Sequence, residues 1–185
     1  ENKADLEFII STARLLAYKK KLGLALNVLN QGRKKFKFND SEIQVLKIIS
    51  LSKKNSRKAL KKYKNIKSLL TSEQQDYCSV IIGSALYGVT HSSAWNIVQK
   101  GFNSLSRHNS EVIENVARMS LRKNDLEKLN FIISQMPPEL ISKNIWRYWQ
   151  AVILSKNGKT TESSEIFQGL QSDWSFYGIL SKEKL

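Results

Sequence analysis

The chain has 185 residues, 41% of them hydrophobic and 25% charged, with only two prolines and eight glycines. That is enough apolar chain for one domain with a core or for a short solenoid, and so little Pro and Gly argues against a turn-rich all-β fold. A formal net charge of +14 keeps polyanions among the candidate partners, and no apolar run approaches the ~20 residues needed to span a bilayer.

Residues 4–18 carry Leu6, Ile9, Ile10, Ala13, Leu16 and Ala17 at helical spacing, followed by the basic end Lys19-Lys20-Lys21. This polar opening reads as helix, not as a signal peptide. A second helix over 22–31 closes at Gly32. Asn39-Asp40-Ser41-Glu42 caps a third, which turns Ile43, Leu46 and Ile49 inward. Asn55-Ser56 opens a fourth with Ala59, Tyr63, Ile66 and Leu70 on one face. Thr71-Ser72-Glu73 opens a fifth that runs to Gly88. A sixth over 91–106 carries Trp95, Val98, Phe102 and Leu105. Asn109-Ser110-Glu111 and Asn124-Asp125 open two more, and Pro137-Pro138 then breaks the helical run.

Three helices follow. The first starts near Asn144, carries Trp146, Trp149, Ala151, Val152 and Leu154, and ends at Asn157-Gly158. The second carries Ile166, Phe167 and Leu170. The third has Asp173 as its N-cap and carries Trp174, Phe176, Tyr177, Ile179 and Leu180. The apolar spacing predicts that Trp149 is buried beside Trp146 while Tyr148 points to the opposite side. Phe176 and Tyr177 should dock the last helix onto the Trp146–Leu154 helix, since helices two apart in sequence lie side by side in a stacked array.

An internal period runs through the chain. Ala25, Ala59, Ala94, Lys128 and Ser163 are spaced by 34, 35, 34 and 35 residues. Four positions later stand Leu29, Tyr63, Val98, Ile132 and Phe167, all apolar. A small residue followed one turn later by a bulky one suits the second helix of a helical hairpin packed closely on its neighbour. The predicted fold is all-α, a superhelix of stacked antiparallel helical hairpins with a tetratricopeptide-like period, in a single domain over 1–185.

The charge is unevenly placed. Residues 1–70 hold 18 basic and 5 acidic side chains, an excess of 13, whereas residues 71–185 hold 12 and 11, an excess of one. Lys54, Arg57, Lys61 and Lys64 line one helix face, widened by Lys58, Lys62 and Lys67. Such a stripe is a solvated amphipathic face or a polyanion contact. Nucleic acid is the less favoured polyanion, because the aromatics that would stack on bases are missing from the stripe. Glu111 and Glu114 read as exposed first-turn acids, and His91 and His108 lack the neighbours of a metal site. The single Cys78 reads as a buried apolar residue. No metal, cofactor or phosphate-loop motif is found.

The run Trp146-Arg147-Tyr148-Trp149, the turn at Gly158, the Ser163–Leu170 helix and Phe176-Tyr177-Gly178 together resemble the end of the superhelical domain of soluble lytic murein transglycosylases. Ala117 to Leu126 and the Met136-Pro137-Pro138 turn fit the same pattern. The match is specific over about 110–185, with Ser163-Ser164 where the family usually has Ala and with Asp173-Trp174 ahead of the aromatic pair. The resemblance implies a periplasmic protein whose partners are peptidoglycan or a cell-wall protein, with a catalytic domain following on the same chain or supplied by another. It also implies a general acid, a Glu before a Ser at a helix end, followed by a Gly-Leu-Met-Gln segment. Neither element is found: Glu42 precedes Ile43, Glu73 precedes Gln74, Glu183 is two residues from Leu185, and the His91–Trp95 stretch has no carboxylate. The chain is therefore expected to be non-catalytic. A tetratricopeptide-like adaptor is the alternative from another class, and a nucleic-acid-binding helical repeat the third.

Overall fold

A computed structural model of the chain describes residues 2–36, 40–88, 94–102 and 110–185. Asn39, His91, Ser92, Ser93, Leu105, His108 and Asn109, which enter the sequence expectations, lie outside the described residues. The described residues form twelve α-helices and no strand. They divide into two compact units, 1–112 and 113–185.

In the first unit α1 (Asn2–Tyr18) pairs with α2 (Leu22–Gly32), α3 (Ser41–Ser52) with α4 (Ser56–Ile66), and α5 (Ser72–Gly88) with α6 (Ala94–Gly101). The leading helices α1, α3 and α5 pack against one another in series. These are the stacked hairpins that the period predicts. Close approach within the α5–α6 hairpin depends on two glycines. A Cβ at Gly83 would lie 2.7 Å from the Val98 backbone nitrogen, and one at Gly101 would lie 2.5 Å from the Asp76 carbonyl.

The second unit takes in most of α7 (Ser110–Arg122), then α8 (Leu126–Ser134), α9 (Pro138–Ile141), α10 (Asn144–Lys156), α11 (Thr160–Gln171) and α12 (Phe176–Lys182). Pro137-Pro138 does more than break the chain. Pro138 opens the short α9, since a first-turn proline forfeits no intrahelical hydrogen bond.

The period is visible as burial. Ala25, Ala59, Ala94 and Ser163 have almost no exposed surface, and the residues four positions later, Leu29, Tyr63, Val98, Ile132 and Phe167, are all buried. They fall on α2, α4, α6, α8 and α11. Lys128 breaks the small-residue rule at a partly exposed position, where its ammonium pairs with Asp125. Ser163 keeps the role of a small residue, because its hydroxyl donates to the Ala151 carbonyl at 2.8 Å.

The turns follow local chemistry. Asn55 caps α4 by accepting from the Lys58 N–H at 2.9 Å, and Asp125 caps α8 by accepting from the Lys128 N–H at 3.1 Å. Thr71 and Gln74 exchange bonds at 3.1 and 3.2 Å, a capping box at the start of α5. Gly158 ends α10 at φ +78°, where a side chain would strain the backbone. Two expected caps differ. Asp40 makes no side-chain cap bond and pairs with Arg33 instead. Ser175, not Asp173, caps α12, accepting from the Gly178 N–H at 3.3 Å, while Asp173 accepts from the Ser175 N–H and from Asn144. This tight turn explains Gly178: a Cβ there would collide with the Asp173 carbonyl.

The facing of α10 corrects the sequence expectation. Tyr148 is buried, not turned outward, and Trp149 is only partly buried. The reason is that α10 packs on both sides. Trp146 and Tyr148 point about 200° apart around the helix axis. Trp146 is fully buried with its indole N–H on Glu114 of α7, and Tyr148 with Ala151 meets Phe167 and Leu170 of α11. A single apolar stripe is the wrong template for a helix between two neighbours.

Candidate functional sites

Of the basic stripe, Arg57, Lys61 and Lys64 lie on α4, whereas Lys54 lies in the turn ahead of the cap residue Asn55. Asn55 starts α4, Ala59 and Tyr63 turn into the core, and the Tyr63 hydroxyl reaches Ser79 at 3.2 Å. Lys54, Arg57, Lys61 and Lys64 are all exposed, as are Lys58 and Lys67. None of these pairs with a carboxylate among the described residues. Lys62, half-buried at the edge, titrates below the ordinary lysine value, first because of burial and then because of Lys47 nearby. The arrangement can attract diffuse negative charge. With Arg57 as its single arginine, it offers no fork of arginines for a single phosphate.

Two clusters of charge that sequence reasoning missed are built on buried side chains. In the first unit Arg14, 4% exposed, donates to Glu42 at 2.7 and 2.9 Å and to Glu73 at 2.5 and 3.3 Å. Gln74 donates to Glu42 at 2.9 Å, and the guanidinium lies 4.5 Å from the centre of the Tyr77 ring. Burial alone would disfavour the cation, yet Glu42 and Glu73 more than offset it and hold its pKa above the usual arginine value. Glu42 is thus not the surface first-turn acid of a capping box. The available signal was an arginine inside the apolar run Ala13–Ala17.

In the second unit Glu114 accepts from Lys143 at 2.8 Å, from the Trp146 indole at 3.1 Å and from Arg118 at 3.3 Å. It is 8% exposed, which corrects its reading as an exposed acid. Burial pushes its pKa up, but the bonds from Lys143 and Trp146 and the charge of Arg118 outweigh this and hold the carboxyl below its ordinary value. Because the folded value is depressed, Glu114 stabilises the fold above the unfolded value of about 4.3 and loses this as pH falls through the folded value. Melts taken between about pH 3 and pH 6 should therefore show the parent losing stability on acidification more steeply than Glu114→Gln. Parallel curves would contradict this account.

The chain contains one Glu-Ser pair, Glu162-Ser163. It sits in the first turn of α11, not at a helix end, with Glu162 exposed and paired with Lys159 at 3.1 Å and Ser163 bonded to Ala151. A carboxylic acid that protonates a glycosidic oxygen near neutral pH needs a raised pKa. Glu114 is shifted the other way, and Glu42 and Glu73 are tied to Arg14. Among the described residues no three His, Cys, Asp or Glu side chains are grouped so as to hold a metal.

The aromatic segment is mostly packing. Tyr148 stacks near Trp149, Phe167 and Tyr177, with ring centres 5.6, 5.6 and 5.4 Å away. Tyr177 and Leu180 bring α12 against this cluster, whereas Phe176 is 67% exposed and so does not dock the helix as expected. Trp174 is 92% exposed, with the Lys182 ammonium 5.5 Å from its ring centre. A small cleft of about 200 Å³ opens between α8 and α10, lined by Leu126, Asn130 and Ile153 among others.

No protein-family model matches the chain. A stretch of 76 residues is 34% identical to the soluble lytic murein transglycosylase of Salmonella typhimurium and 33% identical to that of Escherichia coli strain K12. The chain resembles the soluble lytic murein transglycosylases. The matched stretch is 41% of this chain but 12% of each relative, so the chain spans a small part of their length. Among solved structures, the 70-kDa soluble lytic transglycosylase of Escherichia coli superposes with a TM-score of 0.66 at 19% identity, over 95% of this chain and 33% of that one. A 70-kDa soluble lytic transglycosylase in complex with bulgecin A gives 0.64 at 20%, over 100% of this chain and 34% of the other. An inactive variant of the Pseudomonas aeruginosa lytic transglycosylase gives 0.63 at 21%, over 93% and 30%. The shared element is the all-α superhelical fold.

Proposed function

We propose that this chain is a non-catalytic superhelical segment of the soluble lytic transglycosylase kind, acting as a single-domain scaffold that contacts peptidoglycan or a cell-wall protein in the bacterial periplasm. The observation that carries the reading is the likeness of fold to lytic transglycosylases over 95% of this chain, together with the 34% identity over 76 residues. The environments of Glu42, Glu73, Glu114 and Glu162 support the non-catalytic part, since none resembles that of a general acid. A catalytic domain would then be supplied by the same chain or by another. No described helix is long and apolar enough to cross a membrane. The exposed Lys54, Arg57, Lys61 and Lys64 are the proposed polyanion contact, with nucleic acid the less favoured ligand.

Incubation of the purified chain with peptidoglycan sacculi tests this. The chain should sediment with the sacculi and release no anhydro-muropeptides. Release that disappears in Glu162→Gln or Glu73→Gln would make the chain an enzyme. Failure to sediment would favour the second reading, a tetratricopeptide-like adaptor for a protein partner. That reading is favoured by the period of 34–35 residues, whose bulky positions are all buried.

A further inference from the structure

From residue 43 onward the α3–α4 hairpin carries charge of one sign only. Between residues 43 and 72 the sequence has nine Lys and Arg side chains and no acid. None of the nine forms an ion pair among the described residues. At 100° per residue, Arg57, Lys58, Lys61 and Lys64 of α4 fall within an arc of about 120°, opposite the buried Ala59 and Tyr63, and Lys54 is exposed in the turn just before the helix. Lys47 adds an exposed charge from α3. Immediately beyond α4 a short 3-10 turn, Lys67–Leu69, leaves Leu69 70% exposed next to the buried Leu70.

Three features narrow the ligand class. Eight of the nine basic residues are lysines, flexible point charges that suit a smeared surface charge better than a defined phosphate. The face carries no exposed aromatic ring on which a base could stack. An exposed leucine just beyond the lysine-bearing helix gains nothing from an aqueous polymer, but it gains from the acyl boundary under a layer of anionic headgroups.

We propose that the α3–α4 hairpin docks on the surface of an anionic phospholipid bilayer, with Lys54, Arg57, Lys61 and Lys64 facing the headgroups and Leu69 entering the interface. This goes beyond the peptidoglycan reading and does not depend on it. It requires no spanning helix. Attraction extends over about one Debye length, near 10 Å at 0.1 M salt, so it weakens as salt rises.

Co-sedimentation of the full chain with large vesicles, of phosphatidylcholine alone or mixed with phosphatidylglycerol, is the test. The chain should bind only the mixed vesicles, and less at high salt. Each basic residue beside such a surface is worth about fivefold in partitioning, so the quadruple variant Lys54→Gln/Arg57→Gln/Lys61→Gln/Lys64→Gln should bind at least about a hundredfold more weakly. All four residues are exposed, so its helicity and melting should match the parent. Leu69→Ser separates bilayer from polymer: it should weaken vesicle binding several-fold while leaving retention on heparin unchanged. Equal vesicle binding by the parent and either variant overturns the proposal. So does a chain that ignores phosphatidylglycerol vesicles while shifting duplex DNA at physiological salt. Sacculus binding without vesicle binding would refute the proposal and leave the scaffold reading standing.

Discussion

Trp146→Ala is expected to lower the melting temperature by at least about 12 °C, because truncating a buried Trp costs about 3–5 kcal/mol and each kcal/mol shifts a small unit by about 4–8 °C. Trp146 has no exposed surface, and its indole donates to Glu114, so the variant also takes one of three donors from a buried carboxylate. Tyr148→Ala should rank second, since the ring is buried in the cluster with Ala151, Phe167 and Leu170. Trp149→Ala should cost least of the three, because its ring is only partly buried. Thermal melts of the three variants settle the order. If Trp149→Ala melts below the other two, the facing of α10 described above is wrong.

Arg14→Met should destabilise the protein by about 3–5 kcal/mol, since breaking a buried ion pair leaves its carboxylates unpaired. Glu42 would keep Gln74 as a donor but lose both bonds to the guanidinium. The cost should depend on pH. It should be smaller at low pH, where protonation can neutralise a buried carboxylate that has lost its cation. Arg14→Lys should recover little, because one ammonium cannot bond both carboxylates in the fork geometry. Urea unfolding at about pH 5 and pH 8 measures this. A deficit equal at both values would mean that the cluster contributes by packing alone.

Most of the helices were legible because their signals are local. Caps at Asn55 and Asp125, the stop at Gly158 and the 34–35 residue period depend on residues a few positions apart. The basic face of α4 was equally legible, since it needs only helical spacing. The missed features depend on partners far away in sequence. Arg14 meets Glu42 and Glu73 across 28 and 59 residues, and Glu114 meets Lys143 and Trp146 across 29 and 32. No periodicity reports such pairings, and taken one by one these acids look like ordinary surface charges. The facing of α10 failed for a related reason. A helix with one neighbour shows one stripe, whereas α10 has α8 on one side and α11 and α12 on others. The family-like segment was legible as a motif, but the motif could not tell which of its aromatic rings are inside.

Cys78 is the single thiol of the chain, on α5, fully buried, with burial pushing its pKa up to about 12. Only the thiolate attacks thiol reagents, so in the closed structure this group is doubly shielded, by access and by ionisation. Labelling can then proceed only through openings that expose α5, and its rate reads the free energy of those openings without any engineered probe. Because residues 113–185 contain no cysteine, the second unit is silent in the same measurement. One natural atom thus lets the breathing of the first unit be timed separately from the melting of the whole.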